Sequence, residues 1–313
     1  MDNQSKIILI SGPTASGKSN FAVKIAKKIN GEIINTDSMQ VYKQLKILTA
    51  RPNKEEQKNI KHHMYGIIDL KKKFSTGQWL KEATKKIKEI KKRKKIPILV
   101  GGTGLYFQSL IDGLVKIPEI PIKFRNKIRS IQKKEGQRKF YKTLLRIDPM
   151  VKDKFDQNDT QRTIRAYEIK SFTKISMYEW LSKTKSEFKD EEFLKLYIDF
   201  KREDLIKRIS LRTIKMVKEG AINEVKKFIK SKIKKDLSVS RVIGIDELTQ
   251  HLDEKINLDQ AQELISIKTR QYAKRQATWA RSRMTSWEKI NPIKIADYVK
   301  KLKKSSLKLD QLT

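Results

Sequence analysis

Four unbroken aliphatics, Ile7-Ile8-Leu9-Ile10, read as a strand buried on both faces. Behind them Phe21, Ala22, Ile25 and Ile29 recur at helical spacing, which predicts a helix over 17–30 stopped by Gly31. Short aliphatic runs return at 32–35, 96–100 and 195–200, and each predicts another strand. Between the second and third, Ser75 and Gln78 form a capping box ahead of the stripe Leu80, Ala83, Ile87, Ile90. A further helix is expected over 105–114, whereas 39–61 reads as a polar loop region with one compact element at 48–52. Strands alternating with helices predict an α/β fold, a parallel sheet with helices on both faces.

The alternation stops at 117–121, where two prolines bound a stiff, extended segment. From 122 to about 190 every segment reads as helical. The chain is therefore expected to divide into a core of 1–114 with 191–313 and an all-helical insertion of 115–190. Helices resume at 203–219, 221–230 and 257–283. Ala261, Leu264, Ile265, Lys268, Tyr272, Arg275 and Trp279 are expected close to one face of the last. The lysine-rich end after Tyr298 reads as a loosely held helix and tail.

Chemistry enters where the first strand runs into Ser11-Gly12-Pro13-Thr14-Ala15-Ser16-Gly17-Lys18-Ser19, a Gly-x-x-x-x-Gly-Lys-Ser phosphate loop. The two glycines let backbone N–H groups converge on phosphate oxygens, and the next helix aims its positive end at them. Lys18 adds a point charge and Ser19 a hydroxyl suited to Mg²⁺. Such a loop names a ligand group, nucleotide or diphosphate, and not a reaction. Asp37 follows the second strand, on the side of a parallel sheet where ligands bind. It either faces that site or caps a short helix before Ser38-Met39-Gln40, and the residues leave both open. Thr103, in Gly101-Gly102-Thr103-Gly104, is a donor to a phosphate oxygen or part of a plain turn. His62-His63 read as hydrogen-bonded or surface residues and not as ligands.

The balance of 72 Lys and Arg against 36 Asp and Glu, a net +36, favours a polyanionic partner, nucleic acid before an anionic membrane. Two stretches suit RNA. Gln161, Arg162 and Arg165 share a helical face that is either a phosphate- and base-contacting surface or solvated. Gln271 to Gln276 sets Lys274 and Arg275 beside an aromatic, Tyr272. With no cysteine, disulfides, thiolate metal sites and a cysteine nucleophile are excluded. No run nears the roughly 20 apolar residues of a membrane span, and the start lacks a signal-peptide pattern, so a cytoplasmic protein is expected.

An ATPase or GTPase would carry an aspartate at the end of an aliphatic strand for Mg²⁺, where this third strand ends in Gly101-Gly102-Thr103. A loop without that machinery suits a diphosphate held as a leaving group. The motifs then resemble, in order, those of the tRNA dimethylallyltransferases. They are the phosphate loop, Asp37-Ser38 with Gln40-Val41-Tyr42-Lys43, Thr49-Ala50-Arg51-Pro52, His62-His63, Gly101-Gly102-Thr103 with Leu105-Tyr106-Phe107, Gln161-Arg162 with Arg165-Ala166, and 271–279.

The resemblance implies a P-loop kinase-like core with a helical insertion. It also implies transfer of a dimethylallyl group from dimethylallyl diphosphate to N6 of the adenine 3′ of the anticodon, in tRNAs reading codons that begin with U. By the same resemblance Asp37 is the general base and Thr103 the donor to the departing oxygen. Gly12 to Ser19 with Arg241 hold the diphosphate, and Mg²⁺ lies near Ser19. Asp37, Ser38, Met39 and Gln40, then Gln161, Arg162, Thr163, Ile164 and Arg165, then Lys274 and Arg275, meet the anticodon stem-loop of tRNA. A monomer is expected. Lys46 and Ile245 depart from the family's pattern, which has an aspartate and an aromatic there. A P-loop small-molecule kinase, an RNA-binding NTP sensor and prenyl transfer to free adenine nucleotides are the competing readings. Retention of tRNA at low salt separates the first, and product formation separates the second.

Overall fold

A computed structural model describes residues 6–115, 117–234, 237–294 and 297–300. The expected helix and tail after Tyr298 lie almost wholly outside the described residues. Two compact units emerge, one of residues 1–108 with 188–313 and one of 109–187. The changeovers fall at 109 and 188, where the texture of the sequence put them at 115 and 191.

The first unit holds a six-stranded parallel sheet in the order β3-β2-β4-β1-β5-β6. Its strands are β1 (Ile7–Ser11), β2 (Gly31–Asn35), β3 (His62–His63), β4 (Ile96–Gly101), β5 (Phe193–Ile198) and β6 (Glu288–Ile290). The four inner strands are those of the aliphatic runs. The two edge strands went unrecognised because pieces of two and three residues, His-His and Glu-Lys-Ile, have no apolar run to betray them.

Helices α1 (Lys18–Lys28), α2 (Lys54–Gln57), α3 (Thr76–Lys92) and α4 (Gly104–Ile111) alternate with the first strands. Phe21, Ala22 and Ile25 of α1 bury against Ile8, Ile10, Ile33, Ile98, Val100 and Leu196 of the sheet. On α3 the Ser75 capping box forms as its spacing predicts, and Trp79 stacks on Tyr106 with centroids 4.3 Å apart. The Trp79 indole N–H donates to the Asn35 carbonyl at 2.9 Å, which fixes the end of β2.

After β5 come α9 (Arg202–Lys218), α10 (Ala221–Lys230), α11 (Ile245–Leu252) and α12 (Leu258–Arg283). They enclose a second core in which Met216, Val225, Leu248 and Ile265 pack on Val41, Tyr42, Leu45 and Leu48. The loop after β2 is thereby fixed from beneath. Along α12 the expected single face divides. Ala261, Ile265, Ala273 and Ala280 are buried, while Tyr272, Arg275, Gln276 and Trp279 line open space above the sheet.

The second unit packs α5 (Ile122–Glu135), α6 (Gln137–Ile147), α7 (Thr160–Thr173) and α8 (Met177–Ser182). Leu144, Val151, Phe155 and Ala166 form its centre, and Phe140 stacks on Tyr167. Glu168, 1% exposed, receives Arg125 at 3.2 Å and Arg165 at 3.3 Å.

Candidate active site

Strand register decides which residues come together. Ser11 of β1 aligns with Gly101 of β4 and Tyr197 of β5, and Asn35 of β2 with Val100. The phosphate loop, Asp37 and Thr103 therefore leave the same edge of the sheet.

The loop turns through Ala15 at φ 62° and Gly17 at φ 86°, and the latter opens α1. Lys18 Nζ donates to the Pro13 carbonyl at 3.1 Å, curling back over the loop. Burial, partly countered by Asp37 and reinforced by Arg212, draws its pKa down to about 8. Two arginines four apart on α9 meet the same loop. Arg212 donates to Thr14 Oγ1 and Arg208 to the Ala15 carbonyl, both at 2.8 Å. A third partner is Gln276 of α12. Its Oε1 accepts the Thr14 N–H at 2.8 Å while its Nε2 donates to the Gly102 carbonyl at 3.0 Å, so one amide links the loop to the end of β4. Glycine at 102 gives this amide its room, because a Cβ there would lie 2.1 Å from Gln276 Nε2 and displace it.

Asp37 is held by its own backbone. Asn35 Oδ1 accepts the Asp37 N–H at 2.9 Å and Asn35 Nδ2 donates to the Asp37 carbonyl at 3.0 Å. Its Oδ1 accepts the Met39 N–H at 2.8 Å and, longer, the Gln40 N–H. No helix follows over 38–45, so the capping alternative gives way to a turn that leaves Asp37 Oδ2 without a partner among the described residues. Thr103 stands across from it. The Thr103 Oγ1 accepts the Ser38 N–H at 3.0 Å and lies 3.3 Å from the Ser38 hydroxyl, while its N–H donates to the Thr36 carbonyl.

Three hollows meet here. A cavity of about 420 Å³ is lined by Lys18, Ser19, Asp37, Gln40, Arg208 and Arg212, and one of about 310 Å³ by Thr14, Asp37, Met39, Leu48, Arg212 and Arg241. Thr103, Gly12, Tyr272, Arg275 and Trp279 line a third, of about 260 Å³. The arrangement offers N–H groups and cations for a diphosphate, a carboxylate for a proton, and a hydroxyl on the adjoining cavity.

Of the residues singled out in the sequence, Lys274 is exposed on α12 and lines none of these hollows. Gln161 to Arg165 lie on α7 in the other unit. There Gln161 and Arg162 are exposed, whereas Thr163 is buried and accepts Gln137 Nε2 at 2.9 Å. His62 and His63 are hydrogen-bonded, to the Ile60 carbonyl and to Glu32. Sequence reasoning missed Arg208 and Arg212. Their spacing of four on one helix was a signal, but nothing local tied that helix to the loop.

A family model described as IPP transferase matches residues 40–283. The chain belongs to the IPP transferase family. A tRNA dimethylallyltransferase of Pelagibacter ubique is 77% identical over 313 residues, all of both chains. One from Rickettsia massiliae is 42% identical over 90% of this chain and 78% of its own length. Among solved IPP transferase structures, the tRNA isopentenylpyrophosphate transferase of Bacillus halodurans aligns with TM-score 0.69 at 31% identity, covering 98% of this chain and 99% of that one. A eukaryotic dimethylallyltransferase, caught in crystallographic snapshots acting on tRNA, aligns with TM-score 0.81 at 32% identity over 92% of this chain and 74% of its own. Among the described residues no helix is long and apolar enough to cross a membrane.

Proposed function

We infer that this protein transfers the dimethylallyl group of dimethylallyl diphosphate to N6 of the adenine 3′-adjacent to the anticodon, in tRNAs reading codons that begin with U. The observation that carries the reading is the common sheet edge from which the phosphate loop, Asp37 and Thr103 arise, in a chain so similar to named tRNA dimethylallyltransferases. An exocyclic amine is a poor nucleophile, so Asp37 takes the N6 proton as the C–N bond forms and the allylic C–O bond breaks. Thr103 donates to the departing oxygen, a charge that grows only in the transition state. Gly12 to Ser19, with Arg208, Arg212 and Arg241, hold the released diphosphate.

Mg²⁺ fits the oxygen chemistry of the cavity shared by Ser19 and Asp37. The described residues hold no cluster of three His, Cys, Asp or Glu side chains, so an ion held at Ser19 would draw most of its ligands from diphosphate and water. When bound, it neutralises charge on the leaving diphosphate. Ser38, Met39, Gln40, Lys274 and Arg275, with Gln161, Arg162 and Arg165, supply polar and cationic contacts to an anticodon loop whose unstacked bases are accessible. The protein works as a cytoplasmic monomer.

The test is mass spectrometry of nucleosides after incubation with unmodified tRNA, Mg²⁺ and dimethylallyl diphosphate. The expected product is one prenylated adenosine beside the anticodon. Absence of product, or a requirement for ATP as co-substrate, overturns the reading.

A further inference from the structure

The segment over 46–52 forms part of the walls of two cavities. Leu48 and Thr49 line the one with Arg241, and Thr49, Ala50 and Pro52 line the one above the phosphate loop. Its own hydrogen bonds, from the Ala50 N–H to the Ile47 carbonyl and from the Arg51 N–H to the Lys46 carbonyl at 2.9 Å each, close a turn but do not employ the N–H groups of 46–48. Ala50 sits at φ 47°, a left-handed conformation that a residue with a Cβ adopts only when its surroundings dictate it.

Those surroundings include one acid from another helix. The Glu224 carboxylate on α10 accepts three successive backbone N–H groups. Lys46 and Ile47 donate to Oε1, and Ile47 and Leu48 to Oε2 at 2.9 Å each. Three amides converging on one carboxylate reproduce the geometry of an anion nest, with the anion supplied by the chain itself. From the other side Gly244 leaves room for Leu48, whose Cδ2 would lie 2.6 Å from any Cβ there. Gln40 completes the hold, its Nε2 donating to the Thr49 and Ala50 carbonyls at 2.9 and 3.0 Å. Neither cavity is lined by Glu224 itself.

We propose that Glu224 is a positioning residue for prenyl transfer, setting through the amides of 46–48 the wall shared by the cavity with Arg241 and the cavity above the phosphate loop. The inference rests on the transfer reading given above. Charge is central to it. A glutamine has the same shape, but its NH₂ would face an N–H where a carboxylate oxygen accepts one, so one end of the cradle becomes donor against donor.

The experiment compares wild type, Glu224→Gln and Glu224→Asp in single-turnover transfer at saturating tRNA and dimethylallyl diphosphate, with each substrate's Kd measured separately. Misplacement of about 1 Å costs on the order of 10² in rate, so Glu224→Gln is expected to transfer about 10²-fold more slowly with both Kd values little changed. Glu224→Asp keeps the charge one methylene short and should fall between the two. It also carries the test if the amide variant does not fold. A folded Glu224→Gln or Glu224→Asp protein transferring at the wild-type rate overturns the inference, as does a loss that saturating substrate restores. A wild-type protein that makes no product sinks the transfer reading instead.

Discussion

Two carboxylates stand at opposite ends of β2, and their surroundings separate the service an acid gives a fold from the service it gives a reaction. Glu32, at the start of the strand and 2% exposed, meets His63 and Arg93 at 2.6 Å and Lys95 at 3.2 Å. Asp37, just past the end, has Lys18 and Arg212 close enough to feel its charge, yet forms no ion pair among the described residues. Among the described residues its acceptor contacts are with backbone amides, through one oxygen. Glu32 has its acceptor capacity filled. Asp37 keeps an oxygen in hand on the wall of two cavities, as a proton acceptor requires.

The sharpest way to break this contrast is to neutralise Asp37. Asp37→Asn preserves shape and its turn, so the protein should stay folded and bind tRNA while single-turnover transfer falls by about 10² to 10⁴. Transfer at the wild-type rate would make Asp37 a turn residue like any other. Thr103→Ala removes the one hydroxyl proposed to meet the departing oxygen, and a loss on the order of 10² to 10³ is expected in the chemical step. Weakened donor binding with an unchanged step would place Thr103 in ground-state binding.

A smaller effect comes from the cation beside Asp37. Burial is the main cause of the Lys18 pKa of about 8, so Lys18 in the empty site loses its proton as pH rises past that value. A neutral amine holds a diphosphate poorly. Affinity for dimethylallyl diphosphate should therefore be flat below pH 8 and decline above it, approaching about tenfold per unit. Calorimetric titration between pH 7 and 9.5 checks this, and a flat profile would mean that Lys18 keeps its proton throughout.

Much of this was legible from the sequence because it is local. The phosphate loop, Asp37 and Thr103 each come directly after an aliphatic run, and a parallel sheet gathers the ends of its strands along one edge. Arg208, Arg212 and Gln276 were not legible as site residues. Their contacts span 193, 198 and 262 positions, and only packing of α9 and α12 over the sheet closes such distances. The departures at Lys46 and Ile245 have a physical account. Lys46 contributes its backbone N–H to Glu224 and leaves its side chain exposed, and Ile245 is buried at 6% exposure in an apolar cluster. Neither position asks its side chain for chemistry.

The mildest effect on catalysis should come from the other acid, and it sharpens the comparison most directly. Burial pushes the Glu32 carboxyl up, but hydrogen bonds from Arg93, His63 and Lys95 outweigh it and hold the pKa at about 2, against an ordinary 4.5. A depressed carboxylate contributes stability that is full above its unfolded pKa and lost as pH falls toward the folded one. Glu32→Gln should accordingly cost on the order of 3 kcal/mol at neutral pH, since it leaves two cations, Arg93 and Lys95, without their anion and weakens the hydrogen bond with His63. The difference between variant and wild type should shrink as pH drops from about 4.5 to about 2. Transfer by the folded variant, measured well below its melting temperature, should proceed at the wild-type rate. Urea unfolding across that pH range, paired with single-turnover assays at pH 7, tests both halves. A stable variant with impaired transfer would reverse the assignment of the two acids.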